Sequence, residues 1–432
     1  IDALKISEKV GLGARINTVM MTAFFLISGV LPREKAIELI KNSIKKTYGK
    51  KGEDIVKKNW ECVDATNVAL EEVKVPAKIT KSYVPAKLIK DDAPQFAKDV
   101  IEPIMHLEGD KIPVSKMSFD GVIPTGTSAL EKRCIAPRVP YWIPENCIQC
   151  NMCVMACPHA VIRAKQIDPA NLANKPTNFT TVKSKTKNDK NLEYRIQLFV
   201  DDCTGCGVCV ETCPAKTKAL AFSTLEEEHK KGQIENYNFF EKLPENVLDG
   251  APEDTLKGAM FKQPLFEFSG ACAGCGETPY VRMITQLFGD RMMIANATGC
   301  SSIYGGTFPT IPYCKNKEGR GPAWANSLFE DNAEYGFGMR LAVDSNRALL
   351  KQNVEQLLKI GTSNELKAAL EKCLSIWNAK TQEAIVAQNT VKSLLADAVE
   401  NAKPEAKPLL RKIKELEDYF VDKSVWILGG DG

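Results

Sequence analysis

Eight cysteines between Cys147 and Cys213 stand in two copies of one pattern, C-x2-C-x2-C-x3-C-P. Cys147, Cys150, Cys153 and Cys157 precede Pro158, and Cys203, Cys206, Cys209 and Cys213 precede Pro214. Three thiolates on a tight loop can face one side of an iron–sulfur cube while the fourth, just ahead of Pro, leaves on a short helix. Where two such motifs share a chain, the fourth cysteine of each ligates the cluster of the other. The pattern therefore assigns Cys147, Cys150, Cys153 and Cys213 to one 4Fe–4S cluster, and Cys203, Cys206, Cys209 and Cys157 to a second. Zinc knuckles share the C-x2-C unit but seldom pack four cysteines so closely with Pro after the last of each set. Secreted disulfide frameworks belong to chains much shorter than 432 residues. The fifteen cysteines read as reduced metal ligands in a cytoplasm-like compartment.

A third set is less complete. Cys272 and Cys275 form a C-x2-C in a Gly-rich loop, and Cys300 follows 25 residues later in another Gly-containing turn. Three thiolates leave a cube one ligand short, and nothing around Cys314, the nearest further cysteine, fixes it as the fourth. On residue types alone, a three-cysteine zinc site or a bare C-x2-C redox pair stays open. The final VWILGGDG reads as a buried parallel strand over 425–428 and a turn over 429–432. Such a turn at the carboxyl edge of a parallel sheet is where phosphate ligands bind. His159, beside Pro158, is expected to pack at the cluster edge or meet solvent; His106 stands alone among non-ligating residues.

The elements that must carry these residues follow from composition and periodicity. A hydrophobic fraction of 44% and a charged fraction of 26% are those of ordinary globular protein, and the length allows about three domains. Lys and Arg (57) nearly balance Asp and Glu (54), so neither nucleic acid nor a membrane surface is indicated as a partner. The most apolar run, Val19 to Leu31, is broken by Thr22, Ser28 and Gly29. It is too short to span a bilayer and reads as a buried core element. The sequence opens at Ile1 with no basic-then-apolar leader, so no signal peptide is visible and the chain is expected to be part of something longer.

Residues 1–85 read as the C-terminal part of an α/β domain, with a helix starting at Pro32 and GLGARIN as a turn rather than a nucleotide fingerprint. Pro76, Pro85, Pro94, Pro103 and Pro113 recur at intervals of nine or ten residues, a pattern that tends toward extended chain, and 86–126 reads as a structured, Pro-rich connector. A two-cluster, ferredoxin-like domain is expected over 127–245, with a solvated loop over 174–191. Residues 246–432 hold the third cysteine set, a helical tract over 346–419 and the final strand. The fold class is multidomain, α/β and α+β.

Taken in order, GLGARIN, SGVLPREKAIE, KKTYGKKGEDIV, the doubled cysteine motif, ACAGCGETPY, ATGCSSIYGG, SLFEDNAEYGFGM and WILGGDG resemble the pyruvate:ferredoxin (flavodoxin) oxidoreductases. The resemblance covers essentially the whole chain and implies the central segment of the long single-chain type. Residues 246–432 would then be the N-terminal part of a thiamine-diphosphate-binding domain. The implied activity is oxidative decarboxylation of pyruvate with coenzyme A to acetyl-CoA and CO2. Electrons would pass through three 4Fe–4S clusters to ferredoxin or flavodoxin. The resemblance gives Cys272, Cys275 and Cys300 to the cluster nearest the thiamine, with its fourth ligand beyond Gly432 rather than at Cys314. It places Glu277 and Cys300 against the thiamine diphosphate and gives Asp431 to the Mg2+ that clamps it. It assigns no catalytic residue in this chain. The remaining segments of the same enzyme would be needed for turnover and for a stable third cluster. A homodimer is implied, in the cytoplasm or a reducing anaerobic organelle. Two other readings compete: an electron-transfer module of another redox complex, and a related 2-oxo acid oxidoreductase passing electrons to NADP.

Overall fold

Apolar residues three and four apart, broken by Gly and Pro, make the start of the chain helical. Four helices form: α1 (Ala3–Lys9), α2 (Asn17–Ser28), α3 (Arg33–Tyr48) and α4 (Glu53–Ala69). The computed structural model describes residues 1–78, 88–186, 191–245, 252, 255–306 and 308–430. The chain divides into two units, Ile1–Ala86 and Lys87–Gly432. In the first, Pro32 stands immediately before α3, its fixed φ suiting the helix entry. GLGARIN is a turn, with Gly11 and Gly13 at φ of 78° and 61°. Ile40, Ile44, Val56 and Val63 form one small core and Ala3, Val19 and Cys62 another. The run from Val19 departs from the buried element expected of it. Thr18, Val19, Thr22 and Ala23 are buried, but Phe24 and Ile27 are 58% and 73% exposed. A helix with apolar residues all round is covered only where a neighbour packs, and here one face is packed. This unit contributes helices alone among its described residues.

The second unit begins with the proline-rich stretch, which is not extended. A π turn over Ala97–Ile101 runs into α5 (Glu102–Met105), and short 3-10 turns follow at Gly109–Lys111 and Val114–Lys116. Pro94 accepts from the amide of Ala97, and Pro103 sits in the first turn of α5, where a missing N–H costs nothing. Ile89, Ala97 and Ile101 are buried beneath these turns.

Each cysteine motif is bracketed by strands. β1 (Arg138–Trp142) leads into the first, and α6 (Met152–Ala156) and β2 (Ile162–Ile167) leave it. After β3 (Val182–Lys183), β4 (Glu193–Leu198) leads into the second, which exits through α7 (Val208–Thr212) and β5 (Leu220–Thr224). β1 pairs antiparallel with β5, with Val139 opposite Ser223, and β2 pairs with β4, with Ala164 opposite Ile196. The strand entering one motif is thus bonded to the strand leaving the other. The two loops are brought side by side, and each fourth cysteine emerges toward its neighbour's loop.

The stretch between the motifs is more structured than a solvated loop. β3 pairs with β4, Phe179 is buried, and the Arg195 guanidinium lies 4.0 Å from the Phe179 ring centroid. α8 (Leu225–Lys230) opens on a Thr224–Glu227 capping box, and α9 (Gln233–Lys242) lays Tyr237 and Phe240 into the core.

After α10 (Leu256–Ala259) and α11 (Thr278–Phe288) comes a parallel sheet. It is built from β6 (Met292–Ala297), followed by α12 (Cys300–Gly306), and β7 (Ala323–Ser327), followed by α13 (Asn332–Ile360), α14 (Asn364–Ser375), α15 (Gln382–Asn401) and α16 (Lys407–Glu415), and then β8 (Ser424–Leu428). The order is β7-β6-β8, with Ile294 opposite both Trp324 and Trp426. The expected last strand is parallel, but it is an edge of the described sheet, and Ile427 is 50% exposed. The helical tract resolves into α13–α16, packed on Leu350, Val354, Leu366, Val391 and Leu410. No helix among the described residues is long and apolar enough to cross a membrane.

α13 crosses the sheet at Gly336, where a Cβ would lie 2.4 Å from Ile427 Cγ1 and 3.3 Å from Ala295 Cβ. Gly336→Val is therefore expected to cost about 1–3 kcal/mol, read as a lowered thermal midpoint.

Candidate functional site

The two cysteine loops share an unusual backbone. In the second, Gly205 and Gly207 take φ of 68° and 82°; in the first, Gln149 and Asn151 occupy the corresponding places at 60° and 61°. Left-handed turns point successive amides inward, a geometry that suits anionic groups such as iron–sulfur centres. Gln149 N donates to Cys147 Sγ at 3.4 Å and Gly205 N to Cys203 Sγ at 3.3 Å, while Ala219 N reaches Cys213 Sγ at 3.5 Å.

For residues with a Cβ this backbone costs about 1–2 kcal/mol each. The buried amide side chains offset it. Gln149 donates to Lys183 O at 2.9 Å and accepts from Lys185 N at 2.7 Å. Asn151 donates to Lys257 O at 3.0 Å and accepts from Tyr194 Oη at 2.8 Å. Two bonds at about 1 kcal/mol each balance the strain. Asn151→Ala loses both and keeps the strain, so a loss of about 2 kcal/mol is expected. Faster chelator extraction of iron from the loaded protein would register it.

The thiols group across the motifs. Burial pushes the Cys153 thiol well above its ordinary range, helped by Cys147, Cys150 and Cys213. Cys203 is pushed up to about 12, first by burial and then, against the Gly205 N–H, by Cys157 and Cys206. Cys209 is raised by burial and then by Cys157, Cys153, Cys203 and Cys206. Cys157, Cys203, Cys206 and Cys209 line one small cavity together with His159. All fifteen cysteines, each among the described residues, are free thiols.

Among the described residues no three Cys, His, Asp or Glu side chains gather tightly enough to hold one ion. A zinc site needs ligands converging at about 2.0–2.3 Å, whereas a cube spreads four thiolates over separate irons. Two neighbouring sets of four thiols with amides aimed at sulfur fit the larger group. Cys209 is within electrostatic reach of Cys153, so the two sets adjoin.

The third set packs against the second. A Cβ at Gly274, between Cys272 and Cys275, would lie 3.7 Å from Cys206 Cβ. Cys275 N closes the loop on Cys272 O at 3.0 Å. His159 meets no solvent: it is 2% exposed, with Nδ1 3.1 Å from Ser269 O. Cys272 and Cys300 are exposed and Cys275 half-buried, whereas Cys147, Cys157, Cys203 and Cys209 of the double set are buried. Cys300 opens α12, whose Tyr304 is in electrostatic reach of Cys275 and Glu277. Cys314 is buried, its thiol donating to Pro264 O at 3.4 Å.

Glu277 stands at the carboxyl edge of the sheet. A Cβ at Gly430 would lie 3.6 Å from its Oε1, and burial together with its charge holds the phenols of Tyr304 and Tyr313 protonated. Asp431 lies outside the described residues. Two asparagines that the sequence reading passed over tie this edge together. Asn332 donates to Leu428 O at 3.1 Å and accepts from Ser327 Oγ at 2.9 Å, joining the ends of β8 and β7. Asn296 donates to Ser301 Oγ at 2.8 Å, anchoring α12 to β6. The signal for Gln149 and Asn151 was available by laying the first motif over the second, where glycines fill both places.

Three family profiles match the chain. Residues 1–67 match one described as pyruvate ferredoxin/flavodoxin oxidoreductase, 85–136 a domain of unknown function, and 146–216 a 4Fe-4S double cluster binding domain. Over its whole length the chain is 50% identical to a pyruvate:ferredoxin oxidoreductase of Moorella thermoacetica, of which it covers 37%. It is 43% identical to a pyruvate-flavodoxin oxidoreductase of a Nostoc species, covering 37% of it, and 42% identical to a probable pyruvate-flavodoxin oxidoreductase of Escherichia coli, covering 36%. The chain spans little more than a third of these relatives. Matched from end to end in this way, the chain belongs to the pyruvate:ferredoxin/flavodoxin oxidoreductase family.

Proposed function

We propose that this chain is the electron-conducting and diphosphate-holding portion of an enzyme that oxidatively decarboxylates pyruvate with coenzyme A and passes the electrons to ferredoxin or flavodoxin. The observation that carries the reading is the seating of the Cys272–Cys275 loop on Cys206, because it lines up three cysteine sets from the Glu277 edge outward. Bound thiamine diphosphate supplies the chemistry that splits CO2 from a 2-oxo acid and makes its electrons available, and bound clusters supply one-electron carriage.

The residues of this chain order and tune those groups. Cys272, Cys275 and Cys300 would hold the first cluster, Cys203, Cys206, Cys209 and Cys157 the second, and Cys147, Cys150, Cys153 and Cys213 the third. The amides of Gln149, Gly205 and Ala219 donate to cysteine sulfur, which stabilises the more negative state and favours reduction. Glu277, beside Gly430, would approach the thiamine diphosphate, and Asp431 would supply a hard oxygen ligand for Mg2+. The acting enzyme is proposed to be cytoplasmic, to work with further segments of the same protein, and to be a homodimer.

Anaerobic purification of the protein carrying this chain, followed by metal and cofactor analysis, tests the proposal. About twelve irons with matching sulfide, thiamine diphosphate and Mg2+ are expected, with reduction of ferredoxin or flavodoxin dependent on both pyruvate and coenzyme A. Zinc, or only two to four metal atoms, would overturn the cluster assignment. Full iron without thiamine would instead identify an electron-transfer module.

A further inference from the structure

Arg282 is 1% exposed, in the middle of α11. A buried guanidinium is always charged and needs either a carboxylate or a full set of acceptors. No carboxylate pairs with Arg282 among the described residues; the thiols of Cys157 and Cys153 and a second cation, Arg163, lie within electrostatic reach. Its donors are spent on neutral groups. Nη1 bonds Val154 O and, at 3.3 Å, Cys157 O; Nη2 lies 3.0 Å from Met260 Sδ, and Nε 3.3 Å from Gln286 Oε1. Val154 and Cys157 belong to the short helix that carries Cys153, of one set, out to Cys157, of the other. The unneutralised charge is therefore fixed where the two sets meet.

An apolar interior would reject such a cation unless negative charge stood beside it. A thiolate-ligated cube is a net anion in both oxidation states and gains one more negative charge on reduction. A fixed cation at that position stabilises the reduced state more than the oxidised.

We propose that Arg282 is a positioning residue that raises the reduction potential of the cluster ligated by Cys157, and to a lesser degree of the one ligated by Cys153, so that electrons entering from the Cys272–Cys275 side are held in the protein until an acceptor takes them. The proposal rests on the reading of these cysteines as cluster ligands. It adds a residue that makes no bond to iron and that lies on the helix Glu277 begins. Hydrogen bonding to the Cys157 carbonyl also fixes that cysteine's departure from α6, so the same side chain sets geometry and field.

Potentiometric titration followed by EPR, on the anaerobically purified protein, reads the effect directly. Arg282→Gln and Arg282→Met are expected to lower the ratio of reduced to oxidised cluster at a fixed poise by about tenfold, equivalent to about 59 mV for a one-electron couple. Arg282→Lys, which keeps the charge, is expected to stay close to the parent. Gln286→Glu sets a carboxylate against the same guanidinium without removing it and is expected to shift the potential in the direction of Arg282→Gln. Should the neutral variants fail to retain iron, Gln286→Glu decides alone. Unchanged potentials with full iron in Gln286→Glu, or an Arg282→Lys shift as large as that of Arg282→Gln, would overturn the proposal. Absence of iron from the parent protein would count against the cluster reading instead.

Discussion

Cys213→Ala is expected to remove roughly four of about eight irons held by the double motif, and they should be the irons that Cys147, Cys150 and Cys153 bind. Cys213 lies in the other motif by sequence, but β1 pairs with β5 and β2 with β4, so the cysteine leaving α7 emerges at the first loop. Its charge is felt by Cys153 alongside those of Cys147 and Cys150. Double substitution separates this arrangement from one without crossover. Groups acting in one unit are non-additive, and groups in separate units add. Cys213→Ala with Cys147→Ala should lose no more iron than either alone, whereas Cys213→Ala with Cys203→Ala should lose nearly all eight. Iron and sulfide analysis with EPR of the reduced protein reads the outcome. The reverse pattern of additivity would show that each motif serves its own cluster.

The second large effect belongs to the loop seated on Cys206. Cys272→Ala is expected to slow pyruvate-dependent reduction of ferredoxin or flavodoxin by at least ~100-fold, about 2.7 kcal/mol of barrier. Reduction of the double-motif clusters by dithionite should be unaffected. The cause is the order of the parts: a Cβ at Gly274 would lie 3.7 Å from Cys206 Cβ, so the Cys272–Cys275 loop runs beside the inner set and is read as the step between it and the Glu277 edge. Cys272 is exposed and its removal opens no core cavity, which separates an interrupted electron path from a folding defect. Turnover near the parent rate in the variant would mean that electrons reach the double motif without this loop.

The cysteines proposed as ligands were legible in the sequence because cluster spacing is a local property. A loop that wraps three thiolates around one centre places two residues between successive cysteines, whatever the rest of the chain does. The parallel strand before GlyGlyAspGly was legible for the same reason, as a short β-branched and aromatic run ending in glycines. Elsewhere local signals misled. Crowded prolines suggested an extended connector, yet Pro94 and Pro103 initiate helical turns over buried Ile89 and Ile101. The run from Val19 suggested a core element, yet Met20, Phe24 and Ile27 of α2 are exposed among the described residues. Composition reports that a residue can be buried, and only a neighbour buries it.

Arg282 illustrates the other limit. Among Val281, Thr285 and Gln286 it is an ordinary helical arginine, and its value comes from carbonyl groups 125 and 128 residues away in the chain. Asn332 likewise gains its role only when α13 brings it to the ends of β7 and β8.

By itself, then, the sequence determined the repeated cysteine pattern and the strand ahead of Gly429, since both depend on spacing within a few residues. The tertiary structure alone decided that the Cys272–Cys275 loop lies beside Cys206, that the asparagines lock the sheet edge, and that a buried guanidinium with no carboxylate partner among the described residues bonds the carbonyls of Val154 and Cys157. Those properties are distances between segments far apart in the chain, set by strand pairing and burial rather than by any local pattern.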